Sequence, residues 1–94
     1  MISAARAYEM GLVNMVVSAE KLNSSGDKMM QTILGKAPLA TAYVLESVNR
    51  GLDLNLEQGI ELEADYFGMS CNSDDMKEGT GAFLEKRKPE FKGN

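Results

Sequence analysis

The stretch from Asn55 to Cys71 constrains this chain more than any other. Read as a helix, it puts Leu56, Ile60, Ala64, Phe67 and Cys71 on one face at spacings of 4, 4, 3 and 4. Leu62, Tyr66 and Met69 form a second apolar stripe, set off by Gly59, Glu63 and Ser70, while Glu57, Glu61 and Asp65 mark the solvent side. A surface helix carries one apolar stripe against one core. Two stripes call for two packing partners, and Glu63, lying between them, is expected to be partly buried against a cation or hydrogen-bond donor. The preceding segment, Pro38 to Arg50, is apolar nearly all round through Leu39, Ala40, Ala42, Tyr43, Val44, Leu45 and Val48. Such a helix is covered on most sides. The other elements of 94 residues are too short to cover both, and uncovered apolar patches mark interfaces.

Capping signals divide the rest of the chain. Ser3 is placed to cap a short helix over 4–10, with Gly11 as its stop. Leu12-Val13 and Val16-Val17, around Asn14-Met15, read as an extended crossing segment, because no other stretch offers a partner strand. Ser18 opens a second helix over 19–35 with Leu22, Met29 and Ile33 on one face. Asn23-Ser24-Ser25 and Gly26 weaken it, an interior Gly costing about 1 kcal/mol against Ala. Gly35 ends that helix, Pro38 suits the first position of the next, and Gly51 is expected to stop it. Asn55 caps the long helix, and Ser73, followed by Asp74 and Asp75 at the positive end, caps the last. Gly79 and Gly81 are expected to loosen or kink it before Pro89 redirects the chain. The fold class predicted is all-α, about five helices with almost no sheet, at most one small domain of marginal independent stability.

Composition narrows the chemistry. The apolar fraction of 44% argues against disorder. The seven Met residues either fill the core, with Met1 as initiator, or adapt a surface to a neighbouring domain or subunit. Cys71 is alone, so no disulfide forms within the chain, and with no secretory pattern at the amino end a cytoplasmic location is expected. No apolar run approaches the roughly 20 residues of a membrane span. The absence of His removes the commonest neutral-pH base and nitrogen metal ligand. Glu61 and Asp65 lie on the polar face, and Cys71 has no base beside it. Zinc chemistry is not expected, and no residue is assigned a metal-ligating role.

Charge is unevenly placed. Residues 86–92 carry Lys86, Arg87, Lys88 and Lys92 against Glu90, and this local +3 leaves −7 for the remainder of a net −4 chain. An acidic body opposes general nucleic-acid binding, which uses a broad basic face. A single cationic end suits one discrete anion such as a phosphate group, or else it is a solvated tail.

Four motifs run in order along the whole chain: ISAARAYEMGLVN at 2–14, APLA at 37–40, LEADYF at 62–67 and EGTGAFLEKRKPEF at 78–91. Together they resemble the carboxyl-terminal part of the enoyl-CoA hydratase (crotonase) family, closest to short-chain enoyl-CoA hydratases and 3-hydroxybutyryl-CoA dehydratases. The resemblance implies an α/β spiral core whose end is residues 1–17, followed by a helical trimerisation region, residues 18–94. It implies reversible hydration of 2-enoyl-CoA thioesters, which uses two carboxylates around one water and two backbone N–H groups on the thioester oxygen. In the family those groups precede the first motif, so no residue here is assigned a catalytic role and this chain is expected to be inactive alone. Position by position, Lys86 and Phe67 match family residues that contact coenzyme A, with Lys86 facing a phosphate and Phe67 the adenine or acyl region. Packing on the main apolar stripe is the competing role for Phe67, and Arg87 and Lys88 read as surface charges. Glu78 and Glu85 read as structural, capping or pairing with Lys or Arg. The implied partners are an acyl-CoA substrate, with no separate cofactor, and further copies of the chain as a trimer or dimer of trimers. The same ending would also suit an enoyl-CoA isomerase. A free-standing helical module that self-associates or docks without catalysis is the alternative from another class.

Overall fold

A computed structural model describes all of residues 1–94. It contains five α-helices and no strand: α1 (Ala4–Glu9), α2 (Leu22–Leu34), α3 (Pro38–Gly51), α4 (Leu56–Cys71) and α5 (Asp74–Glu85), with a 3₁₀ turn at Ala19–Lys21. The chain divides into two units, residues 1–31 and 32–94.

In the first unit, the Ser3 side chain accepts the Arg6 N–H at 3.1 Å, as the sequence predicts. Gly11 then turns left-handed at φ +72°. Its N–H donates to Tyr8 and that of Leu12 to Ala7, at 3.0 and 2.9 Å, closing α1 by a Schellman motif. An L side chain at that φ would add roughly 1 kcal/mol of strain. Residues 12–17 form no regular element. Ser18 caps through its backbone alone: its carbonyl accepts the Lys21 N–H at 2.9 Å, and its hydroxyl makes no capping bond. The opening turn is consequently 3₁₀, and α2 follows unbroken through Ser24, Ser25 and Gly26. Despite that polar, glycine-containing run, the helix persists because the Ser24 hydroxyl bonds back to the Lys21 carbonyl at 3.1 Å rather than competing for a turn.

In the second unit, Pro38 occupies the first position of α3 after Ala37, whose carbonyl takes both the N–H and the hydroxyl of Thr41 at 3.0 Å each. Gly51 does not stop the helix as expected. It is the last helical residue, and Leu52 ends α3 in right-handed geometry with its N–H on Val48 at 3.2 Å. Asn55 then caps α4 by accepting the Gln58 N–H at 3.0 Å.

The short link makes α3 and α4 antiparallel neighbours. Tyr43 stacks on Tyr66 with centroids 5.2 Å apart and planes 26° from parallel. Arg50 Nη1 donates to the Tyr66 hydroxyl at 3.2 Å. At the loop end, a Cβ on Gly59 would lie 3.7 Å from the Gly51 carbonyl oxygen, so the backbones approach closely there.

Little of the apolar surface is covered. Ala7, Ala82 and Asp75 are the buried residues. The first of the two α4 stripes is left largely uncovered: Leu56 is 81% and Phe67 71% exposed, and Ile60 is also exposed. Glu63, expected to be partly buried, is exposed. The reason is the shortage of cover noted above. The chain exposes 7936 Å², against about 5,300 Å² from the size scaling of folded monomers.

Candidate functional site

Two features of the second unit are candidates for a functional role. The first is a groove of about 650 Å³ between α3 and α4. Tyr43, Val44 and Val48 line it from α3, and Ile60, Tyr66 and Phe67 from α4. Its wall is mostly apolar, with Glu63, Ser47 and Ser70 as polar points. A surface of this kind accepts a flat or aliphatic group. Phe67 therefore belongs to an open groove, and packing on a core stripe does not describe it in this chain.

The second feature is the carboxyl-terminal segment, which folds back along α5. Ser73 caps that helix by accepting the Met76 N–H at 3.1 Å. Within the first turn, the buried Asp75 accepts the backbone N–H groups of Lys92 and Gly93 at 2.7 and 2.8 Å through its carboxylate. The N–H groups of Asp74 and Asp75 in turn donate to the Asn94 carbonyl at 2.9 and 3.2 Å. The helix start thus satisfies its free donors with the end of the chain. α5 runs unbroken through Gly81 and Gly79. A Cβ on Gly79 would come within 3.3 Å of the Phe91 ring, so this glycine makes room for the returning segment.

Glu78 holds the middle of the strap. Its two oxygens accept Arg87 Nη1 at 2.6 Å and Nη2 at 2.9 Å, a bidentate fork, and Oε1 also accepts the Glu90 N–H at 2.7 Å. Arg87 Nε donates to Glu85 at 2.6 Å. Glu78 and Glu85 are thus structural, paired with a cation as expected. Arg87 is not a plain surface charge: it ties the strap to α5 and is unavailable as a free anion ligand. Counting Glu78 and Glu85 with residues 86–92 reduces the local charge from +3 to +1.

The electrostatics follow from these bonds. The Arg87 hydrogen bonds, then the Glu90 N–H, lower the Glu78 carboxyl from its ordinary 4.5 to about 2. Glu78 and then Glu85 raise the already high Arg87 pKa further. The Lys77 ammonium, 2.8 Å away, lowers Asp74. A lowered carboxyl contributes stability that is complete above its unfolded value and lost as pH falls through the folded one. The Glu78 contribution is therefore level from neutrality to about pH 4.5 and fades toward about pH 2. In an NMR titration the Glu90 amide resonance is expected to move with a midpoint near 2; a midpoint at the ordinary 4.5 would mean that the fork does not form.

Lys86 sits where α5 gives way to the strap. It is exposed and adopts φ 55°, ψ 37°, the chain's single left-handed residue other than glycine. Its N–H donates to Phe83 at 3.3 Å and that of Arg87 to Ala82 at 3.0 Å, again a Schellman closure. A lysine there costs roughly 1 kcal/mol more than a glycine. Lys86 does not line the groove that contains Phe67. Sequence reasoning missed Asp75 and Arg87 as strap anchors. The only signal for Arg87 was its place in one motif with Glu78, and none pointed to Asp75.

The family model described as Enoyl-CoA hydratase/isomerase matches residues 1–94. The chain is 40% identical over 90 residues to a crotonyl-CoA hydratase of Syntrophomonas wolfei, covering 96% of this chain and 35% of that protein. It is 37% identical over 93 residues to a probable mitochondrial enoyl-CoA hydratase 2 of Arabidopsis thaliana, covering 99% and 31%. The crystal structure of an enoyl-CoA hydratase from Bacillus anthracis superposes with a TM-score of 0.95 at 32% identity, over 99% of this chain and 36% of that one. The chain thus spans about a third of the length of the relatives it matches. No helix is long and apolar enough to cross a membrane. Matched from end to end by the family model and by relatives of 37 and 40% identity, the chain belongs to the enoyl-CoA hydratase/isomerase family.

Proposed function

We propose that these residues serve as the carboxyl-terminal helical portion of a short-chain enoyl-CoA hydratase acting in the 3-hydroxybutyryl-CoA dehydratase direction as well, and supply assembly and coenzyme A contacts rather than catalysis. One observation carries the reading: a backbone that matches 99% of this chain but 36% of an enoyl-CoA hydratase leaves the α3 and α4 faces bare. Those faces then serve as packing surface for further copies of the chain, as a trimer or dimer of trimers, and for the remainder of the enzyme, in the cytoplasm. The substrate is an acyl-CoA thioester, and no separate cofactor enters. Lys86 supplies a cation for a phosphate and Phe67 a flat apolar face for the adenine or acyl group. The general acid, the general base and the oxyanion donors are contributed from outside these residues.

The test is calorimetric titration of the purified chain with coenzyme A, alongside an assay with a short-chain 2-enoyl-CoA. The expected result is measurable coenzyme A binding, weakened about three- to fivefold by Lys86→Ala, the worth of one exposed ion contact, with no turnover above buffer. Hydration by the chain alone, or no affinity for coenzyme A, contradicts the proposal.

A further inference from the structure

A left-handed lysine is held only where its surroundings over-determine it. Three observations show what holds Lys86. The guanidinium of Arg87, the next residue, is gripped at both Nη atoms by Glu78, two helical turns back, at 2.6 and 2.9 Å. The Arg87 N–H is committed to the Ala82 carbonyl at 3.0 Å. Beyond it, the Glu90 N–H donates to the same Glu78 carboxylate at 2.7 Å, so the chain on the far side of Lys86 is tied to the same group. Glycine would take this conformation without strain, yet the position carries a cation on a long side chain. A solvated tail charge needs no such fixation.

We infer that Glu78 is a positioning residue for Lys86: through the Arg87 fork it fixes the backbone at Lys86 and so aims the ammonium at an anion. The inference rests on the reading of Lys86 as a coenzyme A contact. Glu78 touches no ligand in this account, and its effect on binding runs entirely through residue 86. Freed from the fork, Lys86 would relax to the right-handed or extended backbone, and its side chain would leave from a different direction.

The experiment uses the full chain and coenzyme A as the probe, with Glu78→Gln, Lys86→Ala and the double variant, each followed by calorimetry and by backbone chemical shifts. The expected result has three parts. Glu78→Gln moves the Lys86 Cα and Cβ shifts out of the left-handed range while α3 and α4 keep theirs. It lowers coenzyme A affinity by as much as Lys86→Ala does. The double variant is no weaker than either single one, since the two changes remove a single contact. A purely structural role for Glu78 would give additive losses instead. Where Glu78→Gln disturbs the helices, Arg87→Lys keeps the charge, loses the fork, and is expected to give the same shifts and the same loss. If Lys86→Ala weakens binding but the Glu78 and Arg87 variants leave affinity and Lys86 shifts unchanged, the positioning role is overturned and the Lys86 contact stands. If Lys86→Ala has no effect on wild-type affinity, the contact reading itself falls, and the inference with it.

Discussion

Replacing Asp75 with alanine is expected to destabilise the chain by about 2–4 kcal/mol, among the largest effects any single side chain here produces. Asp75 is 3% exposed, and its carboxylate accepts two backbone N–H groups, from Lys92 and Gly93. A hydrogen bond to a charged group contributes roughly 1.5–3 kcal/mol, and part of that is recovered when the freed amides reach water. Asp75→Asn keeps one acceptor oxygen and is expected to lose about half as much. Urea denaturation gives the magnitude, and hydrogen exchange gives the place. The Lys92 and Gly93 amides are expected to lose protection first, while the middle of α4 keeps its own. A change below about 0.5 kcal/mol, the range of an ordinary surface substitution, would show that the strap is not anchored there.

Ile60→Lys is expected to do the reverse, leaving the chain's own folding intact and abolishing its assembly. Ile60 is 56% exposed on the rim of the α3/α4 groove. In the unassembled chain it loses little on substitution, within about 0.5 kcal/mol. In an assembled one, the lost apolar burial of about 2 kcal/mol is joined by the cost of sequestering an unpaired ammonium. Together these exceed 3 kcal/mol by rough estimate, at least a hundredfold in association. Far-ultraviolet circular dichroism and sedimentation velocity separate the two effects. Unchanged association would mean that this face is not the packing surface.

How far the sequence could be read depends on the range of the interaction. Ser3, Asn55 and Ser73 each bond a backbone N–H three residues ahead, so a side chain and its local pattern suffice to find them. The Gly11 stop is equally local. Gly51 was misread because a helix can end on a right-handed turn as readily as on a left-handed one. The room that Gly79 makes is for Phe91, which returns from 12 positions away and is invisible to helix periodicity. Asp75 pairs with residues 17 and 18 positions later, beyond any local rule. The two stripes of α4 gave the shortage of cover correctly but not its distribution. Tyr66, on the second stripe, stacks on Tyr43 of α3, while the first stripe stays largely exposed. For the proposed ligand contacts, periodicity placed Phe67 on an apolar face, and the motif resemblance alone distinguished Lys86 from its cationic neighbours.

The most direct measurement is sedimentation equilibrium of the purified wild-type chain over a range of concentrations. Bare α3 and α4 faces predict a mass that is a multiple of 10.2 kDa, falling toward that value only on dilution or with Ile60→Lys. A 10.2 kDa monomer that melts cooperatively and stays monomeric at high concentration would contradict the account, because those helices would then need no cover.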